Sequence, residues 1–379
     1  MASGEAGGVR EAVASHFPFK KMKIIGLSFD HMHMGDLLRN AFNHPDAQIV
    51  GVADENSANA DAVKRTQANF GIPDELVFGS YRECLEKSGA DIAILCPAIA
   101  DHASLAELAF EYGCHVLVEK PFAVSLADAD RMIAAAQRAG KKLVINWPLA
   151  WYPPYVTANR LIEEGVIGEV LEVHHYGGNA GPMKHLADKV EVGEDEANRR
   201  KNESWFYKKA AGGGSLIDYM GYGVTLGTWF HGGKAPLEVS TMTFVPSGLE
   251  VDEHSITAAK YDTGLSKFET NWATFTNPWQ LQPQPKCGFN IVGTLGTIAA
   301  YDYDDFIRVQ TREKPEGFEV PADKLEAPNS NPIEHFVAHI RGEVELHPVL
   351  SPEICRIGQQ IVDTAIASAE AKKTLELLK

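Results

Sequence analysis

Lys120 is the central residue of a Glu119-Lys120-Pro121 tripeptide that closes a β-branched segment at residues 115–121. In a sheet of parallel strands, the carboxyl ends of the strands face the crevice where ligands bind. A lysine at such an end can hydrogen-bond a polar ligand or exchange a proton with it. The tripeptide therefore predicts a lysine that faces a ligand.

Asp218 and Tyr222 form a second pair with acid-base chemistry, in the segment AAGGGSLIDYMGY at residues 210–222. If the segment after the glycines is helical, positions i and i+4 share one face. Asp218 can then orient a hydroxyl group while Tyr222 donates or accepts its proton. The alternative is that Tyr222 is a packed aromatic ring with a satisfied hydroxyl.

His31 and His33 are candidate metal ligands, since two imidazoles two residues apart can both coordinate if the turn is extended. A metal site also needs a third and a fourth ligand, and we identify none near them in the sequence. We therefore predict no metal and interpret this loop as the wall of a pyrophosphate pocket.

The turn after the first predicted strand, GLSFDHMHMGDLL at residues 26–38, carries a degraded glycine fingerprint for a dinucleotide. Gly26 is in place, Ser28 occupies the second glycine position, and Gly35 comes late. A tight turn followed by a helix N-terminus can still offer its amides to a pyrophosphate. The loop therefore predicts a dinucleotide site.

Asp54 closes the second predicted strand, where a carboxylate commonly binds the ribose hydroxyls of NAD. Glu55 adds a second negative charge, which would repel the 2′-phosphate of NADP. These two residues favour NAD over NADP. The alternative is a nucleotide-free α/β domain in which Asp54 is a turn residue.

Residues 21–146 alternate short β-rich runs with amphipathic helical segments. This pattern is typical of an α/β fold with helices on both faces of a parallel sheet. We expect a doubly wound parallel Rossmann sheet, and its strands are predicted at residues 23–27, 49–54, 91–97, 115–121 and 142–146.

Residues 147–350 are expected to form a C-terminal α+β domain with an open, mostly antiparallel sheet. The Pro- and aromatic-rich run at 146–155 breaks the earlier alternation. Strand patterns follow at residues 169–176, 237–245, 255–262 and 265–275. The polar run 191–204 is interpreted as an exposed loop, and the C-terminal segment 351–379 is expected to pack back as a helix.

Composition restricts the partners of this chain. With 35 Lys+Arg against 51 Asp+Glu, the formal charge is -16, which would repel nucleic acid and an anionic membrane surface. Five scattered cysteines without a CxxC pair favour a reducing cytoplasm over a disulfide framework. Residues 1–20 lack the features of a signal peptide and are interpreted as a flexible tail or docking arm.

Several motifs together resemble the glucose-fructose oxidoreductase, inositol dehydrogenase and rhizopine-catabolism (Gfo/Idh/MocA) family of NAD(P)-dependent oxidoreductases. They are VGVAD (50–54), EKP (119–121), GVIGEV (165–170), AAGGGSLID (210–218) and NPIEHFVAHIRGE (331–343). The resemblance implies that Lys120 contacts the reacting hydroxyl and the nicotinamide ribose, and that Asp218 serves the substrate. Two residues depart from the family pattern: Met220 replaces a glycine, and Tyr222 stands where most relatives have the catalytic histidine.

The resemblance also suggests which residues surround the ligands. The arginine common in the family after the fifth strand is missing, which favours a neutral sugar stacked on Trp147, Trp151 or Tyr152. His185 and Trp205 are expected to close over the substrate, with an exposed loop as the alternative. Because His174 and His175 alternate on a predicted strand, at most one of them faces the site. The other residues expected at the cofactor are His31, Pro97, His102, Glu119 and Asn146, and the alternative for His102 is a structural residue at a helix N-terminus.

The expected reaction is hydride transfer between NAD and a secondary hydroxyl of a sugar, glycoside or polyol, by a homo-oligomer (dimer or tetramer). The base is either Tyr222 or Lys120, the latter with a pKa lowered by burial and by the positive nicotinamide. Two alternatives stay open: a glycosidase that oxidises its sugar transiently, and a regulator that binds sugar and NAD without turnover. A regulator should lack the EKP lysine, which is present here.

Overall fold

The chain folds around two β-sheets in a computed structural model, which describes residues 20–186, 189–201 and 203–379. The tail or arm expected at residues 1–20 lies outside the described residues, apart from Lys20. The boundaries drawn at residues 146 and 350 stay predictions.

The first sheet has six parallel strands in the order β3-β2-β1-β4-β5-β6. This order is that of a dinucleotide-binding Rossmann fold, which confirms the predicted fold class. Its strands are β1 (Met22–Leu27), β2 (Ala47–Ala53), β3 (Val77–Phe78), β4 (Ile92–Leu95), β5 (His115–Glu119) and β6 (Leu143–Asn146). Its helices are α1 (His33–Asn43), α2 (Ala60–Phe70), α3 (Tyr81–Ser88), α4 (His102–Glu111) and α5 (Leu126–Ala139). The two-residue edge strand β3 was not predicted, because two residues are too few to carry a pattern.

The second sheet has nine strands in the order β14-β13-β12-β11-β7-β10-β9-β8-β15. Every neighbouring pair is antiparallel except β7 and β10, which confirms the prediction of an open, mostly antiparallel sheet. The strands are β7 (Val170–Gly178), β8 (Glu238–Phe244), β9 (His254–Lys260), β10 (Leu265–Asn271), β11 (Gly288–Gly293), β12 (Gly296–Tyr301), β13 (Phe306–Thr311), β14 (Phe318–Pro321) and β15 (Leu375–Glu376).

The helices of the second half are α6 (Pro153–Glu163), α7 (Glu194–Lys201), α8 (Ser215–Phe230), α9 (Pro332–Ile340) and α10 (Pro352–Ala371). Helix α7 corrects the expectation of a loop at residues 191–204. Its first turn is acidic and its last turn is basic, which suits the helix dipole, and Ala197 is buried.

Helices α8 and α10 connect the two halves of the molecule. Helix α8 packs on strands β7 and β10, and α10 packs on α8 and on α5 of the first half. Arg356 of α10 donates to Asp130 of α5 at 2.6 Å, and Asp363 accepts the Leu126 amide at 2.6 Å. These contacts fasten α10, and α8 packed against it, to α5 of the Rossmann half.

Within the ranges that the structure describes, none of the helices combines the length and the apolar character that crossing a bilayer requires.

Candidate active site

A cavity of about 310 Å³ lies between the two sheets, at the lower end of the roughly 300–1,000 Å³ typical of small-molecule sites. Its wall includes the β1–α1 loop, the ends of β5 and β6, part of β7, the first turns of α8, and the turn after β12. Residues from both halves of the chain therefore meet around one space.

Lys120 and Asp218 form a buried ion pair on the cavity wall. Lys120 Nζ lies 2.7 Å from Asp218 Oδ1, and the two side chains are 4% and 3% exposed. Burial alone would lower the pKa of Lys120, but the charges of Asp218 and Glu119 outweigh it and raise that pKa. This result corrects the expectation of a lowered lysine pKa for the protein without cofactor: Lys120 is held protonated.

The start of α8 positions Asp218. Gly213 has no room for a side chain, because a Cβ there would lie 2.3 Å from the carbonyl oxygen of Phe206. Asp252 then accepts the hydroxyl of Ser215 at 2.6 Å and the amide of Leu216 at 2.9 Å, which satisfies donors at the helix N-terminus. Asp218 follows in the first turn, aimed at Lys120.

Tyr222 lies one turn after Asp218 and lines the same cavity. Lys120 Nζ is 5.1 Å from the centre of its ring. Burial, together with the charges of Glu119 and Asp218, raises the pKa of Tyr222 well above its ordinary value. Since Lys120 is also protonated, the resting protein has two proton donors and no free base among these two residues.

Tyr219 belongs to the same group, and sequence reasoning missed it. Its ring centre is 5.7 Å from Lys120 Nζ, and its hydroxyl accepts the Asn179 amide at 3.1 Å. The i, i+4 argument selected one face of α8, whereas this helix is buried on most sides. No sequence signal separated Tyr219 from a core residue.

Trp147 lies behind the site, which corrects its expected role in stacking on substrate. It is 1% exposed, and its Nε1 donates to Cys355 Sγ at 3.2 Å. Its ring packs edge-on against Tyr222 at 5.2 Å. Trp147 therefore supports Tyr222, while Trp151 and Tyr152 do line the cavity.

Trp205 also differs from expectation, because it contacts the β1–α1 loop instead of the cavity. Its Nε1 donates to the carbonyl oxygen of Asp30 at 3.1 Å, and its ring stacks on Phe206 at 3.8 Å. Phe206, the other ring of this stack, lines the cavity. His185 lines it as well. Of the two residues predicted to close over the substrate, only His185 reaches the cavity wall.

The β1–α1 loop has the close packing that a dinucleotide fold needs. A Cβ on Gly26 would lie 2.8 Å from Met34 Sδ and 3.2 Å from Leu38 Cδ1, so glycine there lets α1 pack on β1 without displacing these side chains. Ser28 has φ 67°, the left-handed conformation that glycine usually supplies. Gly35 lies inside the first turn of α1, and therefore not in the loop itself.

Asp54 follows β2 at the edge of the sheet where NAD ribose binds in such folds. Its carboxylate accepts the Phe29 amide at 2.7 Å and the Asn59 side chain at 3.0 Å. Glu55 instead accepts the amide of Tyr81 at 2.9 Å. Asp54 is half-buried, and burial raises its pKa.

Pro97 and His102 lie near the end of β4, away from the cavity wall. His102 begins α4, is 1% exposed, and shares a hydrogen bond of 3.2 Å with the carbonyl oxygen of Phe122. Burial lowers its pKa. This placement matches the structural alternative for His102, as a residue at a helix start.

Glu119 is buried between two partners at the end of β5. His33 Nδ1 lies 2.8 Å from its Oε1, and Asn146 Nδ2 donates to its Oε2 at 2.7 Å. Burial opposes the ionised form, but His33, Lys120 and Asn146 together lower the pKa of Glu119. Glu119 therefore stays ionised behind the wall that His31, His33 and Asn146 line.

Five buried polar atoms on the cavity wall have no hydrogen-bond partner within the described part of the chain. They are Asn146 Oδ1, Trp151 Nε1, His175 Nδ1, His185 Nδ1 and Trp279 Nε1. Buried polar groups are normally satisfied. The five atoms therefore fit a bound molecule that offers both donors and acceptors, and Asn146 at the end of β6 fits the nicotinamide end of NAD.

A second polar group, missed by sequence reasoning, lies on the wall at the turn after β12. The hydroxyls of Tyr152 and Tyr303 are 2.6 Å apart, and Lys189 donates to Tyr303 at 3.1 Å. Asp302 accepts the hydroxyl of Tyr155, and burial raises its pKa to about 6. The strands around this turn were not predicted, so no signal placed Asp302 or Tyr303 near Tyr152.

The fold and site together define a class: a dinucleotide-binding Rossmann sheet joined to an open antiparallel sheet, with a lysine-aspartate pair between them. Residues 20–147 match a family model described as "Oxidoreductase family, NAD-binding Rossmann fold", and residues 155–299 match the "GFO/IDH/MocA C-terminal domain". The chain belongs to the Gfo/Idh/MocA family, as its motifs indicated. NAD, the predicted cofactor, is the one named in the first description.

Two curated relatives show the range of similarity. D-apiose dehydrogenase of Paraburkholderia graminis is 30% identical over 172 residues, which cover 44% of this chain and 43% of the relative. Inositol 2-dehydrogenase of Salmonella typhimurium is 32% identical over 108 residues, 28% of this chain and 32% of the relative. The matched part spans less than half the length of either relative.

Solved structures resemble the whole chain. Aldose-aldose oxidoreductase from Caulobacter crescentus, complexed with glycerol, has a TM-score of 0.74 at 19% identity and covers 94% of this chain and 100% of its own. Levoglucosan dehydrogenase, in complex with NADH and levoglucosan, has a TM-score of 0.73 at 17% identity, covering 95% and 100%. At these identities the likeness shows the fold.

Proposed function

We propose that this chain is an NAD-dependent oxidoreductase that transfers hydride between nicotinamide and a secondary hydroxyl of a neutral sugar, glycoside or polyol. The observation that carries the proposal is the meeting of Lys120, Asp218 and Tyr222 at one cavity. The first lies 98 residues before the second along the chain, so only the fold brings them together.

NAD, when bound, supplies or accepts the hydride. The residues that would hold it are the β1–α1 loop with Gly26 and Ser28, Asp54 for the ribose, and Asn146 at the nicotinamide end. The left-handed Ser28, the close packing at Gly26 and the unpartnered Asn146 Oδ1 all fit this group.

Lys120 would donate a hydrogen bond to the reacting oxygen, with Asp218 holding its ammonium in place. Tyr222 would exchange the proton of the substrate hydroxyl, because its ring lies beside the same ammonium. Both groups are protonated without cofactor, which readies them to donate a proton when a ketone is reduced. In the oxidation direction, the positive nicotinamide would favour loss of a proton from one of them.

The sugar class is supported by the wall of the cavity. Trp151 and Tyr152 offer aromatic surface, and the five unpartnered polar atoms offer donors and acceptors for several hydroxyls. The names of the relatives, D-apiose dehydrogenase and inositol 2-dehydrogenase, support the same class.

The proposal is tested by mixing the protein with NAD and a panel of neutral monosaccharides, polyols and glycosides while absorbance of NADH is followed. We expect NADH to form with at least one of them. Release of an aglycone without net NADH would support the glycosidase alternative instead. Binding of sugar and NAD without any chemistry would support a regulator.

A homo-oligomer, as a dimer or tetramer, is part of the same proposal. The face of the second sheet turned away from α8 and α10 exposes apolar side chains, including Met242 at 79%, Phe244 at 63% and Leu265 at 58%. Exposed apolar patches of this kind commonly mark interfaces. Light scattering tests this, and a monomer would contradict it.

All five cysteines are free and buried, which supports the proposed cytoplasmic location.

A further inference from the structure

His31, His33 and Glu119 form a compact group of donors beside the Lys120–Asp218 pair. One ligand atom from each of the three side chains lies within 4.8 Å of the others. The two histidines come from the β1–α1 loop and the start of α1, while Glu119 ends β5. The sequence predicted no metal because Glu119 lies 86 residues after His33 along the chain, and only the fold brings it to the two histidines.

We propose that these three side chains bind a divalent cation such as Zn²⁺, Mn²⁺ or Fe²⁺. Two imidazoles and one carboxylate form the ligand set of catalytic zinc sites and of non-haem iron sites, both of which keep positions open. Because His31 and His33 line the cavity, the open positions face it. Water or the hydroxyls of a polyol would complete the coordination.

Local contacts fix one of the two histidines. The Nδ1 of His31 accepts the backbone amide of His33 at 3.2 Å, so Nε2 is the nitrogen of this ring that would bind the cation. His31 is also buried, which holds its ring beside His33 and Glu119.

The surroundings of Glu119 favour the same use. Asn146 donates to Oε2, which fixes the carboxylate and leaves Oε1 on the side of His33. Outer hydrogen bonds of this kind orient metal ligands in known sites. The cation would replace the proton between His33 Nδ1 and Glu119 Oε1, which lie 2.8 Å apart, and this proton would be released to solvent.

The charge of the cavity also suits a cation. On its wall Asp218 is paired with Lys120, so the carboxylate of Glu119 is the negative charge that lies next to the two histidines. In a partly desolvated space this carboxylate attracts a divalent ion.

Metal binding is measured without NAD, so that its failure would leave the proposed hydride transfer untouched. The full chain is stripped with a chelator and titrated with ZnCl₂ by calorimetry, and with Co²⁺ by visible absorption. We expect one equivalent per chain. His33→Ala, at a partly exposed position, should weaken binding at least about 100-fold, and Asn146→Ala about 10- to 100-fold.

His174→Ala is the matched control, because His174 pairs with Glu172 at 2.8 Å outside the cavity and should leave binding unchanged. The melting temperature should rise with Zn²⁺ in the wild type and in His174→Ala, but not in His33→Ala or Glu119→Gln. Absence of saturable binding to the wild type would overturn the proposal. Equal affinity of His33→Ala and the wild type would overturn it as well.

Discussion

The ammonium of Lys120 lies 2.7 Å from the carboxylate of Asp218, and both side chains are almost completely buried. Removing one partner of a buried pair leaves the other charge uncompensated, which typically costs about 3–5 kcal/mol. Lys120→Met should therefore destabilise the protein by about that amount and abolish turnover. The affinity of this variant for NAD should stay within a few-fold of the wild type, because the β1–α1 loop, which we propose holds the pyrophosphate, is separate from Lys120.

The double variant Lys120→Met/Asp218→Asn separates these two effects. With no charge left unpaired, it should recover most of the free energy of unfolding measured in urea, yet remain inactive. If stability returned together with turnover, Lys120 would have only a structural role.

Tyr222→Phe keeps the ring that packs on Trp147 but removes the proton carrier. Loss of an acid-base group typically lowers the rate about 10²- to 10⁴-fold, and we expect such a drop in single-turnover NADH formation. Tyr222→His should be less impaired than Tyr222→Phe, since an imidazole can also carry a proton. Tyr219→Phe, which removes a hydroxyl already bonded to Asn179, should slow the reaction less than about tenfold. If Tyr222→Phe formed NADH as fast as the wild type, Tyr222 would have only a packing role.

NAD should bind more tightly than NADP, because Asp54 would meet the extra phosphate with like charge. Asp54→Ser should narrow the difference between the two dissociation constants measured by calorimetry. Glu55→Gln should change it less, since the Glu55 carboxylate already accepts the Tyr81 amide. Equal affinities for both cofactors in the wild type would refute this account of selectivity.

Trp279→Phe tests whether an unpartnered donor on the cavity wall serves the substrate. A hydrogen bond contributes about 1 kcal/mol net, so we expect KM for the sugar to rise about fivefold with little change in kcat. Within the described part of the chain, Trp272 also has a buried Nε1 without a hydrogen-bond partner, but it packs in a separate cluster with Phe206 and Tyr207. Trp272→Phe should leave KM unchanged. If KM rose by a similar factor in both variants, the effect of Trp279→Phe would not be specific to the cavity wall.

Asp302 should make stability depend on pH. Burial raises its pKa to about 6 in the folded protein, against an ordinary value of 3.8, so the folded state binds more protons between these values. Its stabilising contribution is present below pH 3.8 and is lost as the pH rises through 6. Asp302→Asn should therefore gain on the order of 1–3 kcal/mol relative to the wild type between pH 4 and pH 7.

The matched control for that measurement is Asp304→Asn. Asp304 lies on the same turn as Asp302, and its carboxylate pairs with Lys286. Urea midpoints of the two variants and the wild type across the pH range decide the question. Parallel curves for Asp302→Asn and the wild type would show that Asp302 is not protonated at pH 5.

Sequence patterns predicted the Rossmann sheet because most residues of its strands are buried and because some of the helices between the strands have recognisable N-caps. Ser125, for example, accepts the Asp128 amide at the start of α5. They also predicted that Asp218 and Tyr222 share one face of a helix, and α8 is helical at these residues. The spacing of two residues on one helix is a local property, which a sequence displays directly.

Sequence patterns could not predict contacts between segments that are distant along the chain. Glu119 meets His33 across 86 residues, and Tyr152 meets Tyr303 across 151. Trp147 was assigned to the substrate because the missing arginine after the fifth strand favoured a neutral sugar stacked on an aromatic residue, yet α10 buries Trp147 against Cys355. The raised pKa of Lys120 likewise depends on Asp218, whose approach only the fold determines.

The measurement that tests the central claim most directly is single-turnover NADH formation at saturating NAD, using the most active sugar, in the wild type and in Lys120→Met/Asp218→Asn. We predict a rapid rise in NADH absorbance for the wild type and none for the folded double variant, with NAD affinity measured separately and retained in both. An equal rise in both proteins, or none in the wild type with any neutral sugar, polyol or glycoside, would contradict the account.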